Sequence, residues 1–173
     1  VSCPDKPSNG VWFFENISGS TSKNKLPLFK PSRKLSSTVH YVMPSYIDGK
    51  LRVLSPGFEY KNFPSFGLAE RITLPIPAKF HEYEGKQPNG PKVRHNQWRY
   101  VDFDGDGKLD IVSGIEDWSF YGWDNAFNNK GEWVNGPLHG FVYLHRNKGT
   151  NDSPSYEKPI KITAGNKPID VFG

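Results

Sequence analysis

The amino-acid sequence predicts an all-β fold: a β-propeller of four-stranded antiparallel blades, of which this chain is expected to be a fragment of about three. Three observations predict it. Among 173 residues there are 17 Gly and 15 Pro, with 14% aromatic residues, too many turn formers for a helical bundle and too many aromatics for a disordered chain. An ordered set of segments recurs three times along the chain without gaps in its best-matched part. Each recurrence reads as short strands separated by Gly, Pro and Asn turns, which is the make-up of a propeller blade.

The best-matched segment runs Pro, any residue, an aromatic, four residues, then a basic residue, an aliphatic and a small hydroxyl. It occurs as Pro27, Phe29, Lys34, Leu35 and Ser36, as Pro64, Phe66, Arg71, Ile72 and Thr73, and as Pro154, Tyr156, Lys161, Ile162 and Thr163. Upstream of each lies an aromatic-rich strand ending in Asn16, Asn62 or Asn147, and before that a short aliphatic strand ending in Ser2, Ser55 or Ser113. With the four strands of a unit labelled A to D, the first unit (1–36) lacks strand A, the second spans 39–74, the third spans 97–164 with an insertion at 115–140, and 166–173 reads as the approach to another. A ring needs at least ~4 blades to close. The chain begins in mid-blade, so further blades of a parent propeller are expected, since an open fan would leave unpaired sheet edges.

Segment 102–110, DFDGDGKLD, is the most specific motif. Asp102, Asp104, Asp106 and Asp110 alternate through a glycine-bearing turn, crowding carboxylates that repel one another without a cation, and hard oxygen donors in this number suit Ca²⁺. The alternative is a plain hairpin turn. In the second unit the equivalent positions hold Pro44, Tyr46, Asp48 and Arg52, so that turn is not expected to bind calcium; Arg52 is expected to pair with Asp48 in the ion's place. The ion is expected to be structural, pinning one turn.

The calcium motif, the strand ending Asn-x-Gly-Thr at Asn147 and the Pro-x-Tyr at Pro154 together resemble the FG-GAP/VCBS family of calcium-binding propeller repeats, over nearly the whole chain. Similar blades occur in the integrin α head and in secreted bacterial proteins, some of which adhere, bind sugars, or act as lyases or glycosidases on uronic-acid glycans. The resemblance implies the propeller, the calcium at the four aspartates and a secreted or periplasmic bacterial setting.

Blade topology sorts the connections onto two ends. A–B and C–D turns fall at one; B–C turns and blade-to-blade links fall at the other. The two long irregular segments, the link 75–97 and the insertion 115–140, share the second end, and long loops of this kind are usually functional. They carry His81, Arg94, His95, Trp118, Tyr121, Trp123, Trp133 and His139, with Glu116, Asp117 and Asp124 among them. Aromatic platforms with polar groups suit sugar rings, and Arg suits a uronate carboxylate. The alternative for the aromatics is a mini-core that holds the loop together. His145, on a strand, is expected to be packed rather than catalytic.

The favoured expectation is cleavage of an acidic, uronic-acid-containing polysaccharide by β-elimination. Arg94 would neutralise the carboxylate, His139 or His95 act as base and Tyr121 as acid, while Trp118, Trp123, His81 and Trp133 bind substrate. A hydrolase would instead use two carboxylates, Glu116 with Asp117 or Asp124. A third possibility is a non-catalytic carbohydrate- or protein-binding module. The net charge of +4 permits a polyanionic partner without demanding one, and no basic stripe suggests nucleic acid. Cys3 stands alone, excluding an intramolecular disulfide and a Cys-based zinc site. No apolar run approaches the ~20 residues of a membrane span, and no signal-peptide pattern opens the chain.

Overall fold

The computed structural model describes residues 1–3, 5–19, 26–61, 63, 67–83, 90, 92–121 and 126–171. The fold is all-β, built from several antiparallel sheets, and divides into two compact units, Val1–Ile72 and Thr73–Gly173.

The first unit contains a three-stranded sheet ordered β1 (Ser2–Cys3), β2 (Gly10–Phe13), β3 (Arg33–Ser36). Gly10 is required there: its φ is +124°, and a Cβ would strike the carbonyl oxygen of Ser36 on the paired strand. A second sheet runs as a meander, β4 (Met43–Ile47), β5 (Lys50–Ser55), β6 (Phe58–Tyr60) and β7 (Ile72–Thr73), the last strand spanning the boundary between the units in the sequence. The β4–β5 hairpin turns at Asp48 and Gly49, both with positive φ (47° and 71°), the geometry whose twist matches the flanking strands. Val53 and Leu54 are both buried although they point to opposite sides, so both faces of this sheet are covered.

Arg52 is expected to pair with Asp48; the partner found is Glu59. Its Nε and Nη2 donate to the two carboxylate oxygens of Glu59, one strand over and 2% exposed. A buried carboxylate needs such a partner more than a turn aspartate in water does.

The second unit holds a four-stranded meander, β8 (Val93–Val101), β9 (Asp110–Asp117), β10 (His139–His145) and β11 (Ile160–Lys161). One face carries Trp98, Ile111, Ser113, Ile115, Asp117, His139, Phe141, Tyr143 and His145, which the register brings side by side. Phe80, from the segment before β8, packs over this face against Trp98, Tyr143 and His145, with ring centroids 4.6–6.0 Å apart. His145 is indeed packed: it is 0% exposed, its Nε2 lies 2.8 Å from Ser113 Oγ, and burial drives its pKa down to about 4.

After β11 the chain forms a hairpin of β12 (Thr163–Ala164) and β13 (Lys167–Pro168), then returns to the start of β10. Asp170 bridges to Phe141, and Val171 N–H donates to Gly140 O at 3.0 Å. The tail thus lies along β10, beyond the short β11.

Candidate functional site

The repeated residues have a structural job. Asn16 bridges Phe29 and Asn147 bridges Tyr156, each flanked by the same two backbone hydrogen bonds: Ile17 N–H to Leu28 O and Lys30 N–H to Glu15 O, against Lys148 N–H to Ser155 O and Glu157 N–H to Arg146 O. The Asn62 and Phe66 copy lies outside the described residues. The turn after β8 meets the turn after β10, with Leu109 N–H donating to Asn151 Oδ1 and Asn147 N–H to Asp110 Oδ1.

At that end Asp102, Asp104 and Asp106 each offer a carboxylate oxygen within 4.8 Å of one another, all exposed. The loop is held open by its own backbone: Gly105 and Gly107 N–H donate to the two oxygens of Asp102, and Lys108 N–H to Asp106 Oδ1. The Lys108 N–H and ammonium together hold the Asp106 carboxyl below its ordinary range, so it is ionised. Three hard oxygen donors fit a hard cation such as Ca²⁺. Lys108 and Arg146 also stand by, at 3.1 Å from Asp106 and 3.4 Å from Asp104. Asp110 does not join the group. It is 1% exposed, and its oxygens accept the N–H groups of Phe103 and Asn147, tying the loop to the neighbouring turn.

At the opposite end the sheet runs further than the sequence suggested. Arg94, His95, Asn96 and Gln97 belong to β8 rather than to a link, Ile115, Glu116 and Asp117 extend β9, and His139 opens β10. Polar strand residues without clear alternation hid the extension.

On the Phe80 side of this end is a cavity of about 350 Å³ whose wall includes His81, Asp117, Phe120, His139, Phe141, Lys161, Lys167 and Asp170. His139 Nδ1 lies 2.6 Å from Asp170 Oδ2, and its ring is parallel to Phe141 at 5.6 Å, so the ring is fixed by a carboxylate and an aromatic face. Asp170 Oδ1 in turn accepts Gly140 N–H. With Nδ1 engaged, Nε2 is the nitrogen left to take a proton. His81 is not the open substrate binder expected. Its Nδ1 lies 2.6 Å from Tyr143 Oη and its Nε2 2.8 Å from Asp117 Oδ2, with the side chain 5% exposed, so it forms wall. Burial works to raise the Asp117 pKa, but hydrogen bonds from Ser119 and His81 outweigh it and hold the carboxyl below its ordinary range.

Lys161 supplies a cation to the same cavity. In each repeat the basic residue lies over an aromatic of the preceding strand: Lys34 over Trp12 at 4.7 Å, Arg71 over Phe58 at 4.0 Å, Lys161 over Phe141 at 3.9 Å. In the third repeat the cross-strand partner of Lys161 is Tyr143, yet its ammonium sits over Phe141, two residues nearer the cavity.

The remaining candidates gather elsewhere. Glu116 and Asp117 are neighbours on β9 and so point to opposite faces. Between the pairs Val93–Asp117 and Asn96–Ile115, Arg94 and His95 oppose Glu116 alone, a bulge that turns both toward it. His95 Nδ1 lies 2.7 Å from Glu116 Oε2, the oxygen that also accepts Trp118 Nε1–H at 2.9 Å. Burial opposes ionisation of Glu116, and the contacts with His95, Trp118 and Arg94 prevail, lowering its pKa. Arg94 lies 4.7 Å over Trp118, and the rings continue as a ladder, Trp118 to Tyr121 at 4.9 Å, Tyr121 to Trp133 at 4.4 Å and Trp133 to Phe127 at 5.2 Å.

Of the four residues given catalytic roles from sequence, the cavity wall therefore holds His139, while Arg94, His95 and Tyr121 fall in the Glu116 cluster with Trp118 and Trp133. Trp123 and Asp124 lie outside the described residues. Sequence reasoning missed Asp170 and Lys167, which sit in the tail without a motif, and Lys161, whose place in the repeat was the available signal. No helix among the described residues is long and apolar enough to cross a membrane. Comparison with protein-family models, with curated proteins and with solved structures finds no match.

Proposed function

We propose that this chain is part of a calcium-stapled β-propeller that cleaves an acidic, uronic-acid-containing polysaccharide by β-elimination in the His139 cavity. The observation that carries the reading is the Asp170–His139 pair, 2.6 Å apart, in one cavity with Lys161 and Lys167. The lysines neutralise the uronate carboxylate and so acidify its C5 proton. His139 Nε2 takes that proton, the C4–O bond breaks as the C4–C5 double bond forms, and the resulting imidazolium returns the proton to the departing oxygen. One histidine thus serves as base and then acid on the same side of the sugar, replacing the roles expected of Arg94 and Tyr121. Calcium held by Asp102, Asp104 and Asp106 would neutralise their mutual repulsion and fix the turn at the far end of the sheet.

Elimination is favoured over hydrolysis by the state of the carboxylates. A glycosidase acid must hold its proton near neutral pH. Glu116 and Asp117 are both shifted the other way. The test is ultraviolet absorbance of the unsaturated uronate product from a panel of uronic-acid polysaccharides. His139→Ala is expected to cut the rate by about 100-fold or more. A parent protein that binds such glycans without forming this product would be a binding module instead.

A further inference from the structure

We infer that Gly140 is a positioning residue for the His139 site: lacking a side chain, it lets the tail lie close along β10 and so brings Asp170 to His139. Its own backbone does not demand glycine, since its φ is outside the left-handed region. What is missing is room for a Cβ. One placed there would strike the carbonyl oxygen of Val171 and stand 3.1 Å from Val171 Cγ2. Three contacts on this stretch of β10 hold the tail so near. Val171 N–H donates to Gly140 O at 3.0 Å, Gly140 N–H donates to Asp170 Oδ1 at 3.1 Å, and Asp170 bridges Phe141. The other oxygen of Asp170 is thereby left to meet His139 Nδ1, 2.6 Å away.

The first repeat has the same close approach without the site. There the chain leaves β3 directly over Gly10, where a Cβ would meet Ser36 O and the Cα of Ser37. In the third repeat β11 has only two residues, and the chain first makes an excursion, the β12–β13 hairpin, closed by Ile169 N–H to Ile162 O at 2.8 Å. Only then does it pass over Gly140. The excursion sets Lys167 in the cavity wall, and its return sets Asp170 there. The inserted hairpin thus turns a packing contact into a carboxylate–histidine pair, and Gly140 fixes how close that pair comes. A Cβ at position 140 would push the tail back by roughly 1 Å to reach ordinary contact distance. A displacement of that size beside a reacting group is enough to cost about 100-fold in rate. The effect on cleavage rests on the proposed elimination; the effect on the His139 ring does not.

The test is ¹⁵N NMR of the histidine rings in the intact parent protein, with the His139 signals identified by their loss in His139→Ala, and elimination rates on the same preparations. In the neutral His139 ring the proton is expected on Nδ1, facing Asp170. Gly140→Ala is expected to replace that preference by a mixture of tautomers and to lower kcat about 100-fold. Gly114→Ala, on the neighbouring strand where a Cβ meets nothing within 4 Å, is expected to match the parent in both readouts. A glycine that served only the stability of the sheet would lower the Tm in Gly140→Ala and leave the tautomer as it is. Val171→Pro reaches the same contact from the tail, removing the N–H that bonds Gly140 O without altering β10. It is expected to give the same mixture, and it decides the question if Gly140→Ala does not fold. A parent ring without the Nδ1–H preference, or that preference retained in the variants, would overturn the inference. A preference lost in the variants of a protein that forms no unsaturated product would leave the role of Gly140 standing and sink the lyase reading alone.

Discussion

An imidazole in water offers either nitrogen as a base, and its tautomers exchange freely; a carboxylate on one nitrogen removes that ambiguity. Asp170 does this for His139 at 2.6 Å, and is itself held by Gly140 N–H. Asp170→Asn is therefore expected to lower the elimination rate roughly 100-fold or more with little change in KM, read from initial rates of product absorbance. A proportional rise in KM instead would make Asp170 a substrate contact. His139 was legible in the sequence because Gly136, Pro137 and Gly140 frame it. Asp170 was not, because the pairing depends on a tail hairpin that crosses 31 positions of chain to reach it. Glu116 and Asp117 show the same limit: adjacent in sequence, they serve different faces, and only the extent of β9 reveals which.

At the scale of elements, the strands owe their register to a few residues with strict demands. Gly10→Ala combines a forbidden φ with a clash against Ser36, and is expected to destabilise the first sheet by ~2 kcal/mol or more, measured by denaturant unfolding. His145 lends the second unit a pH dependence. Its folded pKa of about 4 lies below the ordinary histidine value of 6.5, so the unfolded chain binds the proton first on acidification. Stability from this group is complete above pH 6.5 and is lost as pH falls toward 4, on the order of 3 kcal/mol in all. Thermal unfolding at stepped pH should show that slope, and His145→Gln should flatten it. The repeat made these strands legible, because an Asn-to-aromatic bridge imposes the same residues at the two recurrences described, Asn16–Phe29 and Asn147–Tyr156. Strand ends were not, since Arg94 to Gln97 are polar, the first three of them half-buried, and the bulge breaks their alternation.

For the whole molecule, the proposed function joins two ends of one sheet: a carboxylate loop that would fix the scaffold and a cavity that would perform the chemistry. EDTA should lower the Tm of the parent protein by roughly 5 °C or more, with calcium restoring it, and Asp104→Asn should show the low value with or without calcium. An unchanged Tm would leave the loop as a plain turn whose charges are met by Lys108 and Arg146. The measurement that bears most directly on the central claim is incubation of the intact parent protein with uronic-acid polysaccharides, following absorbance of the unsaturated uronate. The expected result is a rise with at least one such glycan, abolished by His139→Ala and reduced when Lys161 and Lys167 are both replaced by Met. Reducing ends formed without that absorbance would contradict it, since they would mean that water, not elimination, breaks the bond.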